Sequence, residues 1–261
     1  MTRAKAHTAL LALFAIAFIG ALPASSAHAK TTLRAAQVLN DTHPSHLGLL
    51  RMAELLKERS GGELEIRMLD RNTLGDERDL IEAIQMGEAD LIVIGTAPLY
   101  SFTSDFLVFD LPYTFKDAPT GRAVMDGPFG QARLDDATHV GLKGLAYYEN
   151  GLRHVSTSKA PVRLPGDMKG LRMRTMESRI HLQTFRQLGA YPVPLSYMDL
   201  YRHLKDGSID AEENPTSVFV TGKLYEVQAN FSLTGHFYMP SPMFVSMGVW
   251  NKLPPNLQGL L

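Results

Sequence analysis

Short β-rich runs alternate with longer amphipathic stretches after residue 30 of the chain. Residues 47–59 and 76–86 repeat apolar positions at helical spacing. Residues 91–94 are apolar without a break, which is typical of a parallel strand that helices cover on both faces. Together with strands predicted at 32–37 and 64–69, this β-α-β-α-β order predicts one open parallel sheet with right-handed crossovers.

A second set of predicted elements follows the first. It consists of strands at 144–148, 171–175, 209–211 and 243–250 and of helices at 178–188, 198–205 and 216–227. This alternation predicts an α/β fold. Because no single linker divides the chain, we predict two lobes, each an open sheet flanked by helices, with one extended α/β domain as the alternative. The predicted ranges are 30–150 for the first lobe, 151–238 for the second, and 239–261 for a segment that returns to the first.

The first 29 residues have the pattern of an export signal. Arg3 and Lys5 are positive, residues 10–22 are apolar and uncharged, and Ala27-His28-Ala29 offers the small residues that a signal peptidase recognises. The apolar run is short for a transmembrane helix. We therefore predict a signal peptide that is cleaved after Ala29 and a periplasmic protein. An uncleaved N-terminal anchor is the alternative.

Composition and charge exclude several classes of function. The chain has no cysteine, so thiol catalysis and cysteine-based metal sites are ruled out. Its 26 Lys and Arg residues nearly balance its 27 Asp and Glu residues, and no basic stripe or run of like charges is present. A nucleic acid partner is therefore not expected.

Two arginines fall where a ligand site is expected. Ligands of open α/β sheets bind outside the carboxyl ends of the strands. Arg153 and Arg174 lie at such ends, where a planar guanidinium can receive a carboxylate. Arg172 shares its strand face with Arg174, but the position at the mouth of the sheet favours Arg174. The alternative is that each arginine lies on the surface or pairs with a nearby acid.

Other polar residues allow more than one interpretation. Asn214 offers donors and acceptors just before a proline, a position that equally suits a simple turn. Tyr197 suits either a pocket wall or the core. His43 and His46 are three residues apart, but Pro44 between them disrupts a helical pair, and we predict no metal site.

The sequence lacks the common catalytic motifs. It has no G-x-S-x-G elbow, no phosphate loop, no dinucleotide glycine pattern and no H-E-x-x-H. Adjacent acids such as Glu212-Glu213 point to opposite faces of a strand and make a poor acid–base pair. A binding module without a cofactor is therefore predicted rather than an enzyme. The rival hypotheses are an exported hydrolase or lyase that uses Glu77, Glu213 or His236, and a ligand-sensing partner of a membrane receptor.

Four stretches, in this order, resemble one protein family. They are Leu74-Gly75-Asp76-Glu77-Arg78, Leu111-Pro112-Tyr113, Met168-Lys169-Gly170-Leu171-Arg172-Met173-Arg174 and Asp210-Ala211-Glu212-Glu213-Asn214-Pro215. The chain resembles the extracytoplasmic solute-binding proteins of the tripartite ATP-independent periplasmic (TRAP) transporters. The resemblance implies a two-lobed, type II-like periplasmic binding protein that captures an organic acid and delivers it to a two-part membrane permease. A monomer is expected.

The resemblance also assigns the site. It implies that Arg174 forms a bidentate salt bridge with the substrate carboxylate. Further ligand-contacting positions are Arg153, Asn214, Tyr197, Glu77, Thr96, Gln37 and His43. Glu213 and His236 are placed behind them, where they support water near the carboxylate.

The predicted substrate is a hexuronate or related sugar acid, and a C4-dicarboxylate is the alternative, with Arg153 taking the second carboxylate. Gly95 stands where the family's sialic-acid binders carry an acid, which counts against that substrate. The chain stops at Leu261, short of the usual family length, so the family's last C-terminal helices are expected to be missing.

Overall fold

The structure is a computed structural model that describes residues 30–261, and the predicted signal peptide lies outside these residues. The strands are β1 (Thr31–Ala36), β2 (Leu64–Met68), β3 (Leu91–Val93), β4 (Leu142–Thr157), β5 (Arg172–Thr175), β6 (Tyr191–Pro194), β7 (Ala211–Pro215) and β8 (Asn230–Ser246). The α-helices are α1 (Pro44–Arg59), α2 (Glu77–Met86), α3 (Ala118–Met125), α4 (Pro128–Asp136), α5 (Arg179–Gln187), α6 (Tyr197–Lys205), α7 (Thr216–Thr221), α8 (Met247–Trp250) and α9 (Pro255–Gln258).

The eight strands form one mixed sheet in the order β2-β1-β3-β8-β4-β7-β5-β6. β1 runs parallel to β2 and β3, and β5 runs parallel to β6 and β7. Between these two parallel groups, β4 and β8 pair antiparallel along nearly their whole length. The predicted parallel sheet of the first three strands and the α/β fold class are thus confirmed. We call β2, β1 and β3 with their helices the first half, and β7, β5 and β6 with theirs the second half.

Local sequence signals explain where α2 begins and ends. Asp76 is the N-cap of α2 and forms a capping box with Asp79, which satisfies backbone donors at the start of the helix. Gly87 ends α2 in the left-handed conformation, with φ of 79°, that favours glycine. The apolar stripe that includes Leu80 and Ile84 is fully buried against the sheet.

The strand predicted at 144–148 is too short, since it does not end before Asn150-Gly151. β4 continues through these residues, and the ladder to β8 only shifts register between Glu149 and Gly151. Gly151 adopts φ of 111°, so it permits an irregularity that would strain another residue. The predicted boundary between the lobes at residue 150 therefore lies inside a strand.

Two further boundaries were misplaced near the C-terminal end. The strand predicted at 243–250 is the end of the much longer β8, and its last four residues form α8 instead. Pro240 and Pro242 count against a central strand in the sequence. Here they pair with Glu149 and Tyr147, next to the register shifts of the ladder.

The strand predicted at 209–211 lies instead at Ala211–Pro215, so that Asn214 belongs to a strand and not to a turn. The helix predicted at 216–227 is interrupted. α7 ends at Thr221, Lys223 adopts φ of 55°, and a separate 3-10 turn covers Leu224–Glu226. β6 and three short helices, α3, α4 and α9, had no sequence prediction.

Each half has its own hydrophobic core. In the first half, α2 packs with Phe106, Phe109 and Phe244 on one side of the sheet. In the second half, Phe185 and Phe237 pack with residues of β4, β5 and β7. Because β4 and β8 pass from one core to the other, these paired strands join the two halves. We call the space between the two halves the cleft. Among residues 30–261, no helix has the length and apolarity that crossing a bilayer requires.

Candidate functional site

A small buried cavity lies between the two halves, close to the strand ends. Its polar lining comes from α2 in the first half and from β4, β5, β7 and α6. The residues that line it are Val38, Leu39, Glu77, Asn150, Arg153, Arg174, Met176, Tyr197, Asn214 and Val218. Five of these were predicted from the sequence or the resemblance, namely Glu77, Arg153, Arg174, Tyr197 and Asn214.

Arg174 contributes positive charge that no carboxylate within residues 30–261 binds directly. It lies on β5, is only 3% exposed, and its Nε donates to the carbonyl oxygen of Leu195 at 2.8 Å. Within residues 30–261, no acceptor contacts its Nη1 or Nη2. Burial, followed by the nearby Arg153 guanidinium, lowers the pKa of Arg174 below its ordinary value. A planar anion in the cavity would meet two available donor nitrogens.

Arg172, the other candidate on the same strand, is engaged elsewhere. It is exposed, and its Nε and Nη2 donate to the two carboxylate oxygens of Asp210, each at 2.8 Å. The structure thus separates the two arginines that strand alternation alone left equivalent.

Arg153 is also buried, but its charge is balanced inside the protein. Its Nε donates to Oε2 of Glu213 at 2.5 Å and its Nη2 to Oε1 at 2.8 Å, a bidentate pair. The Nε2 of His236 lies 3.1 Å from Oε2 of Glu213. Burial alone would raise the pKa of Glu213, but Arg153 and His236 outweigh it and hold that pKa well below its usual range.

Asn214 is held from both sides. Its Oδ1 accepts from Nη2 of Arg153 at 3.1 Å, and its Nδ2 donates to Oε2 of Glu212 at 2.6 Å. Glu212 also accepts from Ser156. Burial raises the pKa of Glu212 to about 7. The two adjacent acids therefore face different partners, as strand alternation predicts, and only Glu213 is a permanent anion at neutral pH.

Glu77 brings a titratable carboxyl group to the cavity. It is the first residue of α2, and its Oε1 accepts from the backbone N–H of Gly95 at 2.7 Å. Burial, followed by the neighbouring carboxylate of Asp76, raises the pKa of Glu77 to about 7. Both protonation states are thus present near neutral pH.

Three of the predicted site residues do not line this cavity. Thr96 is buried and donates its hydroxyl to Asp110 at 3.2 Å. Gln37 lines a separate pocket of the first half, where its amide lies 3.1 Å from Nδ1 of His46. His43 is the N-cap of α1, and burial lowers its pKa to about 4.

A buried polar cluster behind the cavity was not predicted. Asp110 accepts from Ser178 at 2.7 Å as well as from Thr96, and this contact joins the first half to α5. His181 lies 3.9 Å from both Asp110 and Glu213, without a hydrogen bond to either. Burial raises the pKa of Asp110 to about 6 and lowers that of His181 to about 3. These residues carry no local motif, so only the fold brings them together.

The cleft is closed around the site. The cavity has a volume of about 20 Å³, which is room for one or two water molecules. A wider pocket of about 360 Å³ lies outside it, and Tyr197 lines both spaces. An organic acid can therefore enter only if the two halves, or the side chains between them, move apart.

Comparison with known proteins identifies the relatives of this molecule. The sequence pattern of the DctP family, the bacterial extracellular solute-binding proteins of family 7, matches residues 35–261. The chain belongs to this family. Its fold agrees with those of solved TRAP solute-binding proteins, as the TM-scores given below show.

Two similar solved structures and one relative illustrate the range of the DctP family. The sugar acid binding protein DctPAm of Advenella mimigardefordensis, in complex with galactonate, has a TM-score of 0.86 at 30% identity, covering 89% of this chain and 75% of its own. A TRAP solute-binding protein of Bradyrhizobium in complex with galacturonate has a TM-score of 0.85 at 33% identity, covering 88% and 77%. The 2,3-diketo-L-gulonate-binding periplasmic protein YiaO of Escherichia coli is 33% identical over 257 residues, 98% of this chain and 78% of the relative.

The arrangement suits a DctP protein that binds an anion. The cavity presents the available guanidinium nitrogens of Arg174, the oriented amide of Asn214 and the titratable carboxyl group of Glu77. Among the described residues, no group of three His, Asp or Glu side chains is placed to hold a metal ion.

Proposed function

We propose that this chain is the periplasmic substrate-binding component of a TRAP transporter. It captures a small hydroxylated monoacid, a hexuronate or related sugar acid, and releases it unchanged to the membrane permease. The observation that carries the proposal is the pair of available guanidinium nitrogens of buried Arg174.

The physics of the site suits carboxylate capture. A bidentate arginine–carboxylate bridge is among the stronger hydrogen-bonded pairs, and exclusion of water strengthens it. Since Arg174 already stands in a desolvated position, part of the cost of burying its charge is met on folding and not on binding. A ligand that binds the closed state more tightly than the open state then shifts the equilibrium toward closure of the cleft.

The remaining polar groups favour hydroxyls over a second carboxylate. Glu77 accepts hydrogen bonds when ionised, and Asn214 presents a fixed amide. The alternative, a C4-dicarboxylate, needs Arg153 to take the second carboxylate, but Glu213 already balances the charge of Arg153. The solved relatives with galactonate and galacturonate support the same choice.

A ligand panel tests the proposal. Residues 30–261 are heated with D-galacturonate, D-glucuronate, galactonate, succinate and hexanoate, and binding is confirmed by calorimetry. A sugar acid at about 1,000 times its Kd stabilises the fold by about 4 kcal/mol, a rise in melting temperature of roughly 10 °C. Recovered ligand has an unchanged mass.

Stabilisation by hexanoate alone contradicts the sugar-acid assignment, and a changed ligand mass supports the hydrolase or lyase hypothesis. A ligand-sensing role is tested separately. Transport of the bound acid into vesicles that contain the permease, and only when the binding protein is present, excludes sensing as the main role.

Glu77 gives the selectivity of the site a predicted pH dependence. Above its pKa of about 7, an ionised Glu77 accepts from a sugar hydroxyl but repels a second carboxylate. The ratio of succinate Kd to galacturonate Kd is therefore expected to rise between pH 6 and pH 8, by roughly tenfold at most. Titration calorimetry at several pH values measures this ratio.

Glu77→Gln is expected to flatten this profile, since glutamine does not titrate. Glu54→Gln, an exposed change on α1 outside the cavity, serves as the control and keeps the slope. A wild-type ratio that stays constant across this range removes Glu77 from the selectivity argument.

A further inference from the structure

Asp76 joins two helices from opposite sides of the cleft. Its Oδ1 accepts from the backbone N–H of Glu77 at 2.7 Å, at the start of α2. Its Oδ2 accepts from the backbone N–H of Tyr197 at 3.2 Å, at the start of α6. One carboxylate therefore holds the first residues of two helices, and both of these residues line the cavity.

The chemistry at both helix starts suits an anion. The first N–H groups of a helix have no partner within the helix, and the helix dipole favours negative charge there. In α6, the Ser196 hydroxyl accepts from the N–H of Met198, so the N–H of Tyr197 is left for Asp76. The position of α6 is thus tied to a side chain of the other half.

Only one of the two contacts depends on closure. The bond from the N–H of Glu77 lies at the start of α2, as does the bond from the N–H of Asp76 to Oδ2 of Asp79 that completes the capping box. Both persist when the halves separate. The bond from Tyr197 spans the cleft and breaks when α6 moves away from α2. Its free energy therefore counts toward the closed state alone.

We propose that Asp76 is a positioning residue that fastens the closed cleft, fixing Glu77 and Tyr197 around the ligand and slowing its release. The expected change in ligand release rests on the proposed function, whereas the contact across the cleft does not. Asp76 also lines the space beside Arg174, and its charge favours the protonated, cationic state of that guanidinium.

Asp76→Asn separates the two contacts of the carboxylate. Asparagine caps a helix about as well as aspartate. The two N–H groups bind different carboxylate oxygens, and the amide of asparagine places an acceptor at only one of these two positions. Loss of a hydrogen bond to a charged group is expected to raise the dissociation rate of D-galacturonate about tenfold. The association rate changes less than twofold.

Asp79→Asn is the matched control. It weakens the same capping box, because Asp79 accepts from the N–H of Asp76 at 2.8 Å, but it does not reach across the cleft. Stopped-flow mixing with D-galacturonate measures both variants. The dissociation rate of Asp79→Asn is expected to stay within twofold of wild type, even where its melting temperature falls as far as that of Asp76→Asn.

A second pair of variants removes the donor instead of the acceptor. Tyr197→Pro and Tyr197→Ala both delete the ring, but only proline deletes the N–H. Proline is well tolerated at the first position of a helix, and the extended backbone of Ser196 (φ −49°, ψ 140°) is compatible with a following proline. Tyr197→Pro should release ligand about tenfold faster than Tyr197→Ala, and Asp76→Asn should add nothing further to Tyr197→Pro.

Closure is also measured without ligand. Because the chain has no cysteine, spin labels at Met86→Cys and Tyr191→Cys are unique, and both positions are 67% exposed, one in each half. Asp76→Asn is expected to lower the ratio of short to long label distances about tenfold relative to Asp79→Asn. Equal ratios and equal dissociation rates in these two variants overturn the proposal. If wild-type protein binds no acid, the proposed function fails, while the label distances still decide the role of Asp76.

Discussion

Replacing Arg174 with alanine is expected to weaken sugar-acid binding by at least about thirtyfold. Truncating one partner of a buried, hydrogen-bonded charge pair costs about 2–5 kcal/mol, and 1.4 kcal/mol corresponds to a factor of about ten. Stability of the ligand-free protein should not fall, because Arg174 makes one hydrogen bond to a carbonyl and is otherwise a desolvated charge. Calorimetry with D-galacturonate and a thermal melt measure the two quantities.

Arg172→Ala is the natural control for this experiment. Arg172 lies two residues away on the same strand, but it is exposed and bound to Asp210. Its replacement should leave affinity within twofold and change stability little, as expected of an exposed ion pair. Arg174→Lys should recover only part of the affinity, because an ammonium lacks the planar fork. Unchanged affinity in Arg174→Ala shows that the anchor lies elsewhere.

Glu213→Gln is expected to have the largest effect on stability. It leaves Arg153, only 1% exposed, without its balancing charge. Breaking a buried ion pair in this way costs about 3–5 kcal/mol, which lowers the melting temperature of a domain of this size by roughly 10 °C. A denaturant titration and a thermal melt measure this loss.

Glu212→Gln is the matched control, since Glu212 is equally buried on the same strand. Because the pKa of Glu212 is about 7, much of it is already neutral at pH 7, and its replacement by a neutral amide should cost little. An equal loss of stability in both variants shows that the Arg153 pair is not the reason.

The pH dependence separates the two acids further. The pKa of Glu213 is lowered in the folded state, so its contribution is present above its unfolded pKa of about 4.5 and is lost as the pH falls below that value. The difference between wild type and Glu213→Gln should therefore shrink on going from pH 5 to pH 3. The pKa of Glu212 is raised to about 7 in the folded state. The cost of its burial therefore grows as the pH rises from its unfolded pKa to about 7, and the stability of Glu212→Gln relative to wild type should increase over the same range.

The sequence predicted best those elements whose ends and buried face are determined by nearby residues. α2 has an N-cap aspartate, a buried apolar stripe and a C-terminal glycine, and its prediction held to within one residue. The sequence prediction included only the last part of β8. Its prolines oppose a central strand, but the partner strand β4 accommodates them by shifting register. That accommodation depends on a strand far away in sequence, which no local pattern contains.

In the candidate site, too, the sequence predicted the positions of single residues but not their contacts with distant residues. Position at a strand end singled out Arg174, but it could not show that Arg172 is bound to Asp210 or that Arg153 is bound to Glu213. For Asp76 the sequence predicted only the start of a helix, because its second contact, to Tyr197, is made 121 residues further along the chain. Contacts between the halves are set by the fold, and side-chain type alone does not reveal them.

The central pair of strands also governs when this chain can fold. Residues 142–157 form their ladder with residues 230–246. The core of the second half is therefore incomplete until the chain has been synthesised to Phe237, and that of the first half until Phe244. Pairings between such distant segments make folding slow. Until β8 arrives, β3 has an unpaired edge and the nascent chain lacks a finished domain. Late folding of this kind gives the cell time to thread an unfolded polypeptide across a membrane before it becomes compact.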